Sequence, residues 1–252
     1  MRKSYRELTE EIKTDGERLK LIAALGSSDD LAYHYTLISE DWAAGGKLLL
    51  ENSFDRHGEA GIVFLLERLR ALGTASKTDE SAAAGTATGT GAYTDTAYLA
   101  AKILSQLRHR DFYAARAKEL AALLTARWEI SDIALRRKQI IALGWIGSEA
   151  EVDVLIRTMQ GDTDALCRAW AAAALMQLSF HAVDAAFLRV KTKTAFAEAI
   201  QKEGDLSATG IMLEAAQTLF GKKWISSAAA EAAEPESIEK AKKSALRFLG
   251  KV

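Results

Sequence analysis

The chain has 252 residues and a formal net charge of −1, from 33 Lys and Arg against 34 Asp and Glu, a balance that argues against a general polyanion binder. It holds 47 Ala and 31 Leu but only 6 Val and 1 Pro, which favours helix and argues against a β-sandwich, a parallel-sheet enzyme or a proline-rich linker. The single cysteine, Cys167, excludes an internal disulfide and a multi-cysteine zinc site.

Amphipathic helical segments are predicted, in chain order, near 3–14, 16–25, 29–39, 41–52, 58–72, 95–109, 111–128, 132–146, 149–160, 164–178, 183–202, 207–221 and 237–250. The first of them starts within a few residues of Met1, with no apolar signal-peptide core, so a cytoplasmic protein is expected. The longest apolar run, Ala169 to Met176, is eight residues. A spanning helix needs roughly 20, so no membrane partner is expected. Short breakers such as Gly26 to Asp30, Gly147-Ser148, Gly161 to Asp164 and Gly204-Asp205 offer a Gly to end one helix and a Ser, Thr or Asp to begin the next. Connections this short fold successive helices into antiparallel pairs. The stretch 74–96 mixes Gly with Thr and has little to bury, so a flexible loop is predicted there. Its glycines lack the spacing of a phosphate loop. Pro235 is placed to open the last helix, where a missing N–H costs little.

Within this helical series a pattern recurs. Leu135-Arg136 with Ala142-Leu143-Gly144 overlays Cys167-Arg168 with Ala174-Leu175-Met176, thirty-two positions on. Glu17-Arg18 with Ala24-Leu25-Gly26 fits the same frame, and in each copy Arg precedes Ala-Leu by six residues. Leu155-Ile156-Arg157 is matched by Phe187-Leu188-Arg189, and weaker copies surround Ile103-Leu104 and Thr218-Leu219. This spacing sets small residues where two helices approach and Leu in the seam. One such pair cannot cover its own apolar face, whereas stacked neighbours cover it for one another.

The pattern resembles the HEAT family, specifically the bacterial repeats first noted in phycobilisome lyases. Residues 131–192 carry it over two repeats, and 16–39 carry it in part. The resemblance implies an all-α, right-handed α-α superhelix, a HEAT-like solenoid of about six helix pairs forming a single domain over 1–252. It also implies second helices lining a concave side.

Catalytic patterns are sparse. No two of His34, His57, His109 and His181 lie four residues apart, and neither a His-Glu dipeptide, as in the HEAT-built iron hydroxylases, nor a Gly-x-Ser-x-Gly elbow occurs. No metal, cofactor or catalytic residue is therefore expected. Five residues are candidates for partner binding. Arg157 and Arg189, if equivalent, stack one repeat apart, and Lys118 falls one repeat earlier; together they make a cation ladder suited to an acidic protein surface. Asp153 lies four residues before Arg157, where it can pair with it. Trp145 follows Ala-Leu-Gly, where an aromatic fills a seam or anchors a partner.

The expected role is non-catalytic, holding a protein partner along the concave face as scaffold, adaptor or inhibitor of the immunity type. A less favoured alternative is a nucleic-acid-binding protein related to the HEAT-like alkylpurine DNA glycosylases. Arg108, Arg110, Arg116, Lys118, Arg127, Arg136, Arg137 and Lys138 against Asp111, Glu119, Glu129 and Asp132 suggest it. A tetrapyrrole lyase-like protein is the other alternative, resting on the shared repeat alone.

Overall fold

The structure is a computed structural model that describes residues 2–78 and 86–250. Thirteen α-helices and two short 3₁₀ segments account for the regular structure among them, and no strand is present. The helices are α1 (Tyr5–Glu11), α2 (Asp15–Gly26), α3 (Leu31–Ala43), α4 (Gly58–Thr78), α5 (Thr86–Gln106), α6 (Tyr113–Thr125) and α7 (Ile133–Ile146). They continue with α8 (Val152–Gly161), α9 (Ala165–Leu178), α10 (Ala185–Lys202), α11 (Leu206–Leu219), α12 (Ser227–Glu231) and α13 (Pro235–Leu249).

The breakers act as their chemistry dictates. The carboxylates of Asp132, Asp164, Asp184 and Asp205 accept the N–H of Leu135, Cys167, Phe187 and Ala208, so each starts its helix with an otherwise orphaned donor satisfied. Pro235 takes the first turn of α13.

From α4 onward the helices lie in two rows. In one, α5, α7, α9 and α11 pack face to face in that order; in the other run α4, α6, α8, α10 and α13. Helices of the second row pack across onto the first, as α4 on α5, α6 on α7, α8 on α9 and α10 on α11. Small residues govern the spacing of the first row. A Cβ added to Gly144 would lie 2.8 Å from Ala174 Cβ and 2.9 Å from its Cα. One continuous buried cluster, from Leu8 to Leu249, runs the length of the stack.

The repeat Arg has one job in both good copies. Arg136 Nη1 donates to the Ile130 carbonyl at 2.7 Å, and Arg168 Nη1 donates to the Asp162 carbonyl at 2.7 Å, each six residues back. Other guanidinium nitrogens reach into the next repeat: Arg136 Nη2 to Asp162 at 2.8 Å, and Arg168 Nε and Nη2 to Glu203 at 2.7 and 2.9 Å. Each Arg thus staples its own turn to its neighbour's.

The structure corrects three expectations. Arg18 forms no such staple; it pairs with Asp15, three residues away, and α2 and α3 scarcely touch, packing instead on the 3₁₀ segment Leu50–His57. The N-terminal pair therefore does not repeat the contacts of the stack that follows it. Second, the helix expected over 41–52 is absent beyond Ala43. Gly45 (φ 97°), Gly46 (φ 67°) and left-handed Leu49 (φ 54°) turn the chain, and Asp41 holds the bend by accepting from Leu48 N–H at 3.0 Å and Tyr5 O–H at 2.8 Å. Third, most of the loop expected over 74–96 is helical. Helix α4 runs to Thr78 and α5 begins at Thr86, while 79–85 lie outside the described residues. Tertiary burial overrides the weak local propensity: Tyr93, Thr94 and Thr96 are buried, Tyr93 O–H donates to the Leu123 carbonyl, and Thr96 shares a 2.6 Å hydrogen bond with Tyr35.

Candidate interaction groove

In the second row α8 packs on α10 and α10 on α13, whereas α6 and α8 barely meet. The segment joining α6 to α7 rises into the space between them and leaves a groove of about 1170 Å³. Trp128, Glu129 and Ile130 form one wall, and Asp153, Val154, Arg157 and Thr158 of α8 form the other. A second recess of about 560 Å³ lies across the same segment, beside Tyr93 and Arg127, and shares Trp128 to Ile130 with the first.

This wall is fixed from several sides. Trp128 Nε1 donates to Thr158 Oγ1 at 3.1 Å, which donates to the Val154 carbonyl at 2.9 Å. Gln139, buried in α7, donates to the carbonyls of Leu124 and Arg127 at 2.6 and 2.9 Å. Arg136 ties down Ile130, while Arg127 donates to the Gly73 carbonyl and lies over the Tyr93 ring. A surface held this firmly loses little freedom when something binds it.

Most charges around the groove are already engaged. Arg136 neutralises Asp162, Glu151 accepts from Ser148, and Asp153 pairs with Lys191 of α10 at 2.9 Å rather than with Arg157. Arg157 and Glu129 are exposed and form no ion pair among the described residues. The groove therefore offers apolar and aromatic walls, with Arg157 and Glu129 at its rim.

The structure brings two of the five sequence candidates together here, Arg157 and Asp153. Lys118 is exposed on α6, outside the groove. Arg189 Nε donates to the Leu219 carbonyl at the end of α11, at 2.7 Å. Trp145 is half-buried against Tyr98, ring centroids 5.1 Å apart. The ladder itself does not form in the expected register. Asp153 faces Lys191, and Gln160 donates to Glu198 at 2.8 Å, both 38 positions apart. Arg157 therefore comes level with Ala195, and Arg189 lies more than a turn away. Thirty-two residues separate α7 from α9, whereas α10, at 18 residues against the 10 of α8, pairs with α8 at an offset of 38. Trp128, Ile130, Val154 and Thr158 were not among the candidates; the apolar residues inside the short α6–α7 connection were the available signal.

Among the described residues no three His, Cys, Asp or Glu are grouped to hold a metal. Burial pushes the Cys167 thiol up to about 11, well away from a reactive thiolate. His34 donates to or accepts from His57 at 2.8 Å and meets the Leu50 carbonyl, and burial lowers the pKa of both rings. The basic run is largely self-paired: Arg116 with Glu59 and Glu119, Arg136 with Asp162, Arg137 with Asp164, Lys138 with Asp95, and Arg108 and Arg127 on backbone carbonyls.

Two rows of stacked helix pairs, tied by a recurring Arg, define a helical repeat protein. Comparison makes this specific: residues 90–176, from α5 into α9, match the family model of HEAT repeats, so the chain carries HEAT-like repeats over that span. No curated protein and no solved structure matches the chain significantly. No helix among the described residues is long and apolar enough to cross a membrane.

Proposed function

We propose that the chain is a non-catalytic, single-domain scaffold that holds a protein partner in the groove between α6 and α8. The observation that carries this reading is the groove itself, beside α8 where α6 and α8 scarcely meet, lined by Trp128, Ile130 and Val154 and rimmed by Arg157. Aromatic and Arg side chains in a firm, partly desolvated recess are the usual anchors of a protein interface. An adaptor and an inhibitor both use such a surface. The nucleic-acid alternative draws less support, because six of the eight cations behind it are spent on carboxylates or carbonyls within the chain.

Photo-crosslinking tests the proposal. A photoreactive side chain at position 154 should capture a discrete protein from native lysate, and one at exposed Lys20 should not. Adding Arg157→Glu should reduce the adduct at 154 without altering the fold. Equal capture at both positions, or capture indifferent to Arg157→Glu, removes the groove from the reading.

A further inference from the structure

The far end of the stack presents a second surface, unrelated to the groove. From Ala185 to Ala197, Ala215 to Ala230 and Lys240 to Gly250 the chain has nine Lys and Arg and no Asp or Glu. Parts of these three segments meet at one edge. Lys193 Nζ of α10 lies 6.0 Å, and Lys222 Nζ of the loop after α11 lies 4.6 Å, from the ring centre of Phe248 in α13. Trp224 packs on the same ring at 5.8 Å, and Arg189 reaches the end of α11. Lys223 and Arg247 are exposed beside them.

The same end carries apolar side chains turned outward. Seven large hydrophobic residues are exposed among the described residues, and three of them fall between 180 and 190: Phe180 (62%), Phe187 (39%) and Val190 (85%). They interleave with Arg189, Lys191 and Lys193.

Helix dipoles account for part of this charge, since cations suit the C-terminal ends of α11 and α13. They account for Arg189 at the end of α11 but not for Lys191, which pairs with Asp153, and Lys193 in the first half of α10, near the positive end of its dipole, nor for an exposed valine. Nucleic acid would use the cations and leave Val190 without a role. These exposed residues line neither of the two recesses, which suits an extended plane better than a segment of chain.

We propose that this edge rests on an anionic lipid surface, with the cations against headgroup phosphates and Phe180, Phe187 and Val190 entering the acyl boundary. The contact is peripheral: no helix spans the bilayer, and the absence of a long apolar run bears only on spanning.

Flotation of the full chain with vesicles of about 30% phosphatidylglycerol in phosphatidylcholine tests it, alongside pure phosphatidylcholine vesicles and duplex DNA. Binding is expected to the anionic vesicles alone, weakening as salt rises from about 0.05 to 0.5 M. Lys222→Glu with Lys223→Glu should lower affinity at least about 25-fold, at about fivefold per cation. Val190→Asp, at a site too exposed to disturb folding, should lower it about tenfold. Lys118→Glu, on α6, should leave it unchanged. No binding to anionic vesicles at low salt overturns the proposal. So does binding indifferent to Val190→Asp, which marks a purely electrostatic contact, or capture of DNA in place of vesicles with the same variant dependence.

Discussion

The stack from α5 to α11 and the N-terminal region through His57 bury their cores by different means. In the stack the same devices recur: an Asp starts each of α7, α9 and α11, small residues sit at the close approach, and Arg136 and Arg168 join adjacent turns. The N-terminal region is held by single-use polar contacts. His34 and Asp41 are fully buried and bonded to the backbone of a bend, Glu51 pairs with Lys102 of α5, and Leu49 accepts a left-handed conformation. Repetition spreads stability over equivalent interfaces; a bespoke end concentrates it in bonds with no substitute.

Removing matched groups from the two regions should separate them. Arg168→Ala leaves the Glu203 carboxylate, whose side chain is only 2% exposed, without its guanidinium, and should cost about 3 kcal/mol, or about 10 °C in Tm. Arg18→Ala, at the same position in the frame but paired with an Asp15 side chain 88% exposed, should cost less than about 0.5 kcal/mol in thermal denaturation. Equal losses would restore the N-terminal copy as a true repeat.

Next in size is the close approach. Gly144→Val drives side-chain atoms into Ala174 and should destabilise by about 2 kcal/mol. Gly161→Ala meets nothing within 4 Å and should be neutral or stabilise by about 0.5 kcal/mol in urea melts.

The smallest effects are those of pH, and they sharpen the contrast by their order. Burial lowers the pKa of His34, His57 and His181, so their neutral forms are favoured in the fold. Stability from them is complete above the ordinary value of 6.5 and declines as pH falls below it. Two of the three lie in the N-terminal region. In the stack, the hydrogen bond from Arg137 holds Asp164 down at about 2, from 3.8, and Glu203 is lowered because, although burial acts most strongly and raises it, Arg168 and the N–H groups of Asp205 and Gly204 together outweigh that burial. Their contribution is present above the ordinary carboxylate range and is lost as pH falls through the folded values. Amide exchange during acidification should therefore rise first around His34 and His57 and later around 162–168. The reverse order contradicts this assignment.

Much of the stack is legible in the sequence, because stacking demands periodic small and apolar residues and Arg136 and Arg168 recur with their surroundings. What escaped it depends on contacts between residues far apart in the chain. Nothing near Asp41 announces that it will accept from Leu48 N–H and Tyr5 O–H. The Gly and Thr content of 86–96 argues for a loop until Tyr35 and Leu123 supply partners for Thr96 and Tyr93. The groove is harder still, since it arises from helices that fail to touch, and the offset between copies reports equivalence rather than stagger. Arg157 was found for its charge, and the walls beside it were not.

The near-contact at Gly144 and Ala174 also has a mechanical meaning. Where backbone already meets small side chain, α7 and α9 have no room to close, so the spacing in that row is set. On the other side α6 and α8 scarcely meet, and a hydrogen bond from Trp128 Nε1 to Thr158 Oγ1 ties the α6–α7 connection to α8. The pitch of the stack is therefore dictated by its close-packed row, and the recess opposite inherits its position from backbone atoms that have no space left to move closer.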